Sequence, residues 1–134
     1  MRKIISILWF FMFVYTIAVC KQVKVIKETK EEGKVCDLVL SLSVVRNADN
    51  YVRKATKGKR HLFTYVPIDP TKEDNYYYVY VAEDNGMSYH THFIFLVDPK
   101  TYAIKYLDLV TNKRIPLKLC EKRLLNEYRI NKYL

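Results

Sequence analysis

Residues 76–98 read YYYVYVAEDNGMSYHTHFIFLVD and carry the clearest structural signal in the chain. Tyrosine, valine, phenylalanine and isoleucine dominate both halves of it, as is typical of β-strands. Residues 84–86, between the halves, read DNG, which indicates the tight turn of a β-hairpin. From residue 89 to residue 98 the side chains alternate between two faces, as successive residues of a strand do. The stretch therefore predicts two antiparallel strands.

Further strands are predicted on both sides of this hairpin. Residues 61–67 form a short aromatic segment, and a proline-punctuated loop separates it from the hairpin. After the turn DPKT at residues 98–101, residues 102–110 run back as a strand, and residues 111–114 form another turn. Consecutive strands joined by short turns pair with their neighbours. The four strands are therefore predicted to form an antiparallel meander.

Helical segments are predicted before and after the meander. Apolar residues recur at helical spacing between residues 35 and 56, although the beginning of this segment also alternates like a strand. Ser43 is a candidate N-cap for a fresh helix over residues 44–56, with a separate short helix before it. Gly58 lies where a left-handed residue often ends a helix. Residues 117–131 fit a closing helix.

The predicted fold class is α+β, with an N-terminal helical segment packed on a four-stranded antiparallel meander and a short C-terminal helix. Such a sheet has one face on the helix and one face toward solvent or a partner. Residues 35–134 are predicted to form a single domain, because the chain after residue 20 is too short for two. Residues 21–34 are rich in lysine and glutamate and are interpreted as a tether.

The first twenty residues predict export. A positive start is followed by an uncharged apolar run over residues 4–19, which is shorter than the ~20 residues a membrane-spanning helix needs. This is typical of a signal peptide over residues 1–20, and an uncleaved membrane anchor is the alternative. Cleavage after Cys20 would leave Lys21 as the new end. Alternatively, residues 17–20 resemble a bacterial lipoprotein box in which Cys20 is lipidated, although Val19 matches such a box poorly.

Three cysteines, Cys20, Cys36 and Cys120, bear on the compartment. If Cys20 is removed or lipidated, the exported domain keeps a pair, and disulfides persist in oxidising compartments. A Cys36–Cys120 bridge would close a loop of about 85 residues and contribute about 4–5 kcal/mol in the chain-entropy model. Two buried thiols are the alternative, since cysteine is a common core residue.

The chain is basic, with 23 Lys and Arg residues against 14 Asp and Glu residues and a formal net charge of +9. Without Arg2 and Lys3 the balance is 21 against 14, which leaves +7. Such a surplus favours anionic partners such as lipid headgroups, an acidic polysaccharide or an acidic protein. Export argues against nucleic acid, and a membrane would be contacted only through the lipid anchor. Solvated surface explains the same charge without a partner.

A long helix with a four-stranded antiparallel sheet resembles cystatin-like folds and the neighbouring nuclear-transport-factor-like group. Five short strings also resemble small exported proteins of Bacteroidetes-type bacteria: GKRHL at 58–62, VAEDNG at 81–86, THF at 91–93, DPKT at 98–101 and IKY at 104–106. The resemblance covers roughly residues 35–118 and implies a compartment and a fold rather than an activity. The Gln-x-Val-x-Gly loop of inhibitory cystatins is not matched by residues 22–26, so protease inhibition is not implied.

The three histidines are the main candidates for catalysis. His90 and His92 are two apart on a predicted strand and share a face, and His61 is placed on a neighbouring strand. Three such imidazoles could hold zinc with an open position, with Glu83 or Asp84 as a base. Structural or surface histidines are the alternative. No nucleophile motif or phosphate-binding glycine loop is present in the sequence, and no cofactor is predicted.

Tyrosines supply the main candidates for binding. Tyrosine gives large contact area at low entropic cost, although it is also an ordinary residue of sheets. The candidate binding residues are four tyrosines and two basic residues: Tyr76, Tyr78, Tyr80, Tyr89, Lys59 and Arg60.

The function expected from these features is an exported, non-enzymatic binding protein of the cell envelope. It would recognise a protein or an anionic ligand through its sheet face. A periplasmic immunity-type protein that neutralises a toxin is one version, which rests on analogy of fold. The alternative from a different class is a metal-dependent enzyme that uses His61, His90 and His92.

Overall fold

The computed structural model describes residues 29–130 of the chain. The predicted signal peptide, the processing of Cys20 and residues 21–28 of the predicted tether lie outside the described residues. The elements follow in the order α1 Lys30–Leu40, α2 Ser43–Ala55, β1 Leu62–Ile68, β2 Tyr77–Asp84, β3 Tyr89–Val97, β4 Ile104–Asp108, β5 Lys113–Pro116 and α3 Leu117–Ile130. The predicted α+β class is therefore confirmed. None of these described helices has the length and apolar character needed to cross a membrane.

The strands form one antiparallel meander in the order β1-β2-β3-β4-β5, so the sheet has five strands where four were predicted. The additional strand, β5, begins within residues 111–114, which were predicted to form a turn, and ends at Pro116. The Asp108 carboxylate accepts the N–H of Val110 at 3.0 Å, and Asn112 has a φ of 53°. The hydrogen bond and the left-handed conformation of Asn112 complete the turn by residue 112. Lys113 and Arg114 are then free to extend and pair with β4.

Helix α1 begins earlier than the sequence suggests. Thr29 and Glu32 form a capping box, in which the Thr29 hydroxyl accepts the Glu32 N–H at 3.2 Å and the Glu32 carboxylate accepts the Thr29 N–H at 2.7 Å. This reciprocal pair satisfies two N–H groups that a helix start otherwise leaves without partners. Residues 30–34, assigned to the tether from composition, therefore belong to the folded domain.

The helical segment over residues 35–56 is two helices, α1 and α2, with a break at residues 41 and 42. The N-cap of α2 is Leu42, which makes no side-chain cap hydrogen bond. Ser43, the candidate cap, lies inside α2 and donates its hydroxyl to Glu121 on α3 at 2.7 Å. The prediction for Gly58 is confirmed, since its φ is +78° in the turn that follows α2.

All three helices pack on one face of the sheet, here called the helix face. Its buried core takes Val35 and Val39 from α1 and several residues from α2. The sheet and α3 add the following buried side chains: Leu62, Val79, Val81, Phe93, Phe95, Val97, Cys120 and Leu124. Alternate residues on each strand point the other way, onto a face on which none of these three helices packs; this is here called the open face.

The two cysteines of the predicted bridge, Cys36 and Cys120, are both buried in this core and are not joined to each other in the structure. The Cys120 sulfur lies 3.5 Å from the Leu117 carbonyl oxygen and 3.7 Å from that of Pro116. Burial raises the pKa of the Cys120 thiol, which disfavours the thiolate needed of a nucleophile. A Cys36–Cys120 disulfide stays a prediction.

Candidate binding face and cleft

The open face combines buried aliphatic side chains with long polar ones. Leu96 is fully buried although it points away from the helix face, and its cross-strand partners are Tyr78 on β2 and Lys105 on β4. Ile94 is buried as well and lies opposite Tyr80. Cross-strand neighbours on one face are close enough to cover each other. The rings and the lysine stem therefore flank the aliphatic groups and present hydroxyls and charge outward.

One group of side chains on this face is here called the tyrosine–cation cluster: Tyr76, Tyr78, Lys105, Arg114 and Asp74. The Arg114 guanidinium binds the Asp74 carboxylate through both oxygens and lies 2.7 Å from the Tyr78 hydroxyl. That hydroxyl donates to Asp74 at 2.6 Å, and Lys105 donates to the Tyr76 hydroxyl at 2.8 Å. The Lys105 ammonium also lies 4.8 Å from the centre of the Tyr76 ring, a cation–π distance.

The charged and polar groups of this cluster stabilise one another. The Arg114 guanidinium and the Tyr78 hydroxyl hold the pKa of Asp74 below its ordinary value of 3.8. Desolvation, assisted by the hydrogen bond to Asp74, raises the pKa of Tyr78. Because the carboxylate is bound on both oxygens, the cluster ties the loop before β2 to strand β5. Its polar groups are largely engaged with each other.

A second feature, here called the basic cleft, lies where the hairpin turn after β2 approaches the beginning of β1. It has a volume of about 570 Å³. One wall is formed by residues 59–61 and Phe63, and the other by residues 84–86 and Tyr89. The volume falls within the ~300–1,000 Å³ that is typical of small-molecule sites.

The wall that precedes β1 is fixed at both ends by hydrogen bonds to α2. The Thr56 hydroxyl accepts the Arg60 N–H at 3.1 Å, and the Asp49 carboxylate accepts the Leu62 N–H at 2.7 Å. Asp49 also binds Arg53, one turn further along α2, at 2.6 Å. The backbone between Arg60 and Leu62 is therefore held against the C-terminal half of α2 and its cap residue Thr56.

The opposite wall is the DNG turn that the sequence identifies. The Asp84 carboxylate accepts the Gly86 N–H at 2.7 Å, and the Asn85 side-chain oxygen accepts the N–H groups of Met87 and Ser88 at 2.9 and 2.8 Å. Gly86 has a φ of +87°, a conformation that a residue with a Cβ rarely adopts. The side chains of this turn thus order its own backbone.

Aromatic rings connect the cleft with the open face. The rings of Phe63 and Tyr89 meet edge to face with centres 5.0 Å apart, and Tyr89 is 61% exposed. The Tyr65 ring lies 5.8 Å from Phe63 and 5.6 Å from Tyr80. A continuous aromatic row therefore runs from the cleft along the open face.

The histidines do not form the predicted three-imidazole group. The rings of His90 and His92 are 5.0 Å apart, but His61 lines the basic cleft instead. Across residues 29–130, no set of three His, Cys, Asp or Glu residues is placed to hold a metal ion. Glu83 lies 3.4 Å from both His92 and Arg60, and burial lowers the pKa of His92 below its ordinary value of 6.5.

Five of the six predicted binding residues separate into two places. Tyr76 and Tyr78 belong to the tyrosine–cation cluster, whereas Lys59, Arg60 and Tyr89 line the basic cleft. Tyr80 lies between them in the aromatic row.

Sequence reasoning missed Lys105, Arg114, Asp74 and Phe63. The alternation of Lys105 with Ile104 and Tyr106 could have placed it on the open face. Arg114 was missed because β5 was assigned to a turn.

No family model, curated protein or solved structure matches this chain. The resemblance to cystatin-like and nuclear-transport-factor-like folds therefore stays a prediction.

Proposed function

We propose that this chain is an exported, non-enzymatic binding protein of the cell envelope. It recognises a protein or an anionic ligand through the open face of its sheet. The export step rests on the charged and apolar beginning of the sequence.

The aromatic row on the open face is the single observation that best supports a binding function. Its aromatic row consists of neighbouring rings along a surface on which none of the described helices packs. From the cleft outward the rings are Tyr89, Phe63, Tyr65 and Tyr80. Aromatic rings with polar tips are enriched at recognition surfaces because they give large contact area with few rotatable bonds. Lysine and arginine side chains next to the row favour an anionic or acidic partner.

The test is capture of the full chain, tagged at its C-terminus, from the envelope of its own cells. The tested variants are Tyr65→Ser and Tyr80→Ser, and the matched control is Tyr51→Ser on α2, a tyrosine that is 38% exposed. We expect a stoichiometric companion or ligand with the wild type and the control, reduced at least about fivefold in both open-face variants.

Three results would overturn the proposal. The first is recovery of the chain in the cytoplasmic fraction, and the second is a wild type without any companion or ligand. The third is a companion that the wild type and all three variants retain equally. Thermal unfolding of each variant separates a binding defect from a folding defect.

A further inference from the structure

The basic cleft has the charge of an anion site. Lys59 and Arg60 contribute two cations to its lining, against one carboxylate, Asp84. One oxygen of Asp84 accepts the Gly86 N–H, so this carboxylate is engaged with the backbone of its own turn. Arg60 donates one N–H to the Glu83 carboxylate at 3.4 Å, and a guanidinium has five N–H donors. The remaining donors are available for a carboxylate, which arginine binds in a planar, bidentate manner.

The same cleft has an apolar part suited to a ring. Phe63 and Tyr89 meet at 5.0 Å with an angle of 74° between their planes, so together they form a corner rather than a flat plate. Tyr89 is 61% exposed, a large exposure for an aromatic side chain next to a cavity. Ring faces pack well against flat or C–H-rich groups. An occupant with a six-membered ring would cover area that now lies in water.

We propose that the basic cleft binds a small carboxylate carried on a six-membered ring. The carboxylate lies between Lys59 and Arg60, and the ring packs in the corner of Phe63 and Tyr89. This inference rests on the proposed function and names the class of anionic ligand. Two sources share the chemistry, an acidic sugar and an aromatic acid, and the experiment distinguishes them.

The cleft is ready for this ligand in its observed shape. Both walls are ordered by hydrogen bonds of their own, from Thr56 and Asp49 on one side and from Asp84 and Asn85 on the other. A site whose backbone is already fixed loses little backbone entropy when the ligand arrives, so the ordering cost is confined to exposed side chains such as Lys59. By contrast, the carboxylate-binding groups of the tyrosine–cation cluster are already bound to Asp74.

Ligand-observed NMR with the full chain purified from the envelope tests the proposal. Four probes separate the two parts of the ligand: glucuronate and benzoate carry both a ring and a carboxylate, acetate lacks the ring, and glucose lacks the charge. We expect glucuronate or benzoate to bind at least about tenfold more tightly than acetate and glucose. Whichever of the two binds more tightly identifies the source.

Matched variants tie the binding to the cleft. Lys59→Gln and Tyr89→Ser are each expected to raise the Kd by about fivefold to tenfold, since one removes a charge-assisted contact and the other a packing ring. Lys100→Gln and Tyr51→Ser, a lysine and a tyrosine outside the cleft lining, are expected to leave the Kd unchanged. Both positions mutated in the cleft are exposed, so the fold is expected to survive, and circular dichroism checks this.

The proposal is overturned if neither ring carboxylate binds, if acetate binds as tightly as they do, or if Lys59→Gln and Tyr89→Ser leave the Kd unchanged. Capture through Tyr65 and Tyr80 is read independently of these outcomes, because neither residue lines the cleft. Conversely, failure of that capture leaves the NMR result standing, so the two proposals fail separately.

Discussion

The two faces of the sheet belong to the same strands, but their buried side chains are shielded from water in different ways. On the helix face, Val79, Val81 and Phe95 are fully buried against helices. On the open face, Leu96 is equally buried, but its cross-strand partners are Tyr78 and Lys105. Long amphipathic side chains can therefore shield aliphatic groups while they keep a surface polar enough for recognition.

The largest expected effect concerns the helix face, where Cys36 and Cys120 lie. If the predicted bridge forms after export, reduction of the wild type should lower the free energy of unfolding by about 4–5 kcal/mol. Urea unfolding with and without dithiothreitol measures this. The open face has no cysteine in the described strands, so the effect would belong to the helix face alone.

The matched control for the bridge is the double variant Cys36→Ala/Cys120→Ala, whose unfolding should not respond to reductant. Intact mass under non-reducing conditions provides an independent reading. A wild type that carries two thiols in the exported protein would show that the bridge is absent and that the helix face is held by packing alone.

A direct comparison of the faces uses one ring from each. Phe95→Ala should cost about 3–5 kcal/mol, because it leaves a cavity in a region closed on every side. Tyr80→Ala should cost about 1–2 kcal/mol, because that half-buried ring removes less area from water. Chemical denaturation of both variants measures the difference. An equal loss of stability in the two variants would contradict the view that side chains are packed differently on the two faces.

The smallest expected effect lies in the tyrosine–cation cluster. Asp74→Asn should destabilise the chain at neutral pH by about 1 kcal/mol or less, because the pair with Arg114 is partly exposed. The folded-state pKa of Asp74 is lowered, so its contribution is present above pH 3.8 and is lost as the pH falls through the lower folded value. The stability gap to the wild type should therefore close in acid.

Unfolding curves at pH 7, 4 and 2.5 test that behaviour. Asp69→Asn, in the same loop, serves as the control for a carboxylate outside the cluster. A gap between wild type and Asp74→Asn that stays constant across this range would mean that the ion pair contributes nothing to stability.

Much of the fold could be predicted from local pattern. The DNG turn and the aromatic strands around it indicate the central hairpin, and Gly58 marks the end of a helix. Strand β5 could not be predicted because it has only four residues, begins with the charged and exposed Lys113 and Arg114 and ends at Pro116, so only pairing with β4 makes it a strand. Helix α1 was predicted too short because its beginning depends on a capping box within a charged stretch.

The candidate site was predictable in part. Residue type identified the tyrosines and the basic pair Lys59 and Arg60, since these features are local. Their division into a cluster and a cleft depends on strand register and on contacts such as Arg114 to Asp74, which are 40 residues apart in sequence. For the same reason the alternation of His90 and His92 indicated that they are neighbours but could not place His61.

The double attachment of Asp49 has a mechanical consequence. One carboxylate oxygen holds the N–H of Leu62 at the first residue of β1, and the other holds Arg53 on its own helix. The start of the edge strand is thereby coupled to the rigid body of α2. Outward displacement of β1 would have to break this hydrogen bond in addition to the pairing of β1 with β2, so the joint couples the edge strand and the cleft wall beside it to the helix.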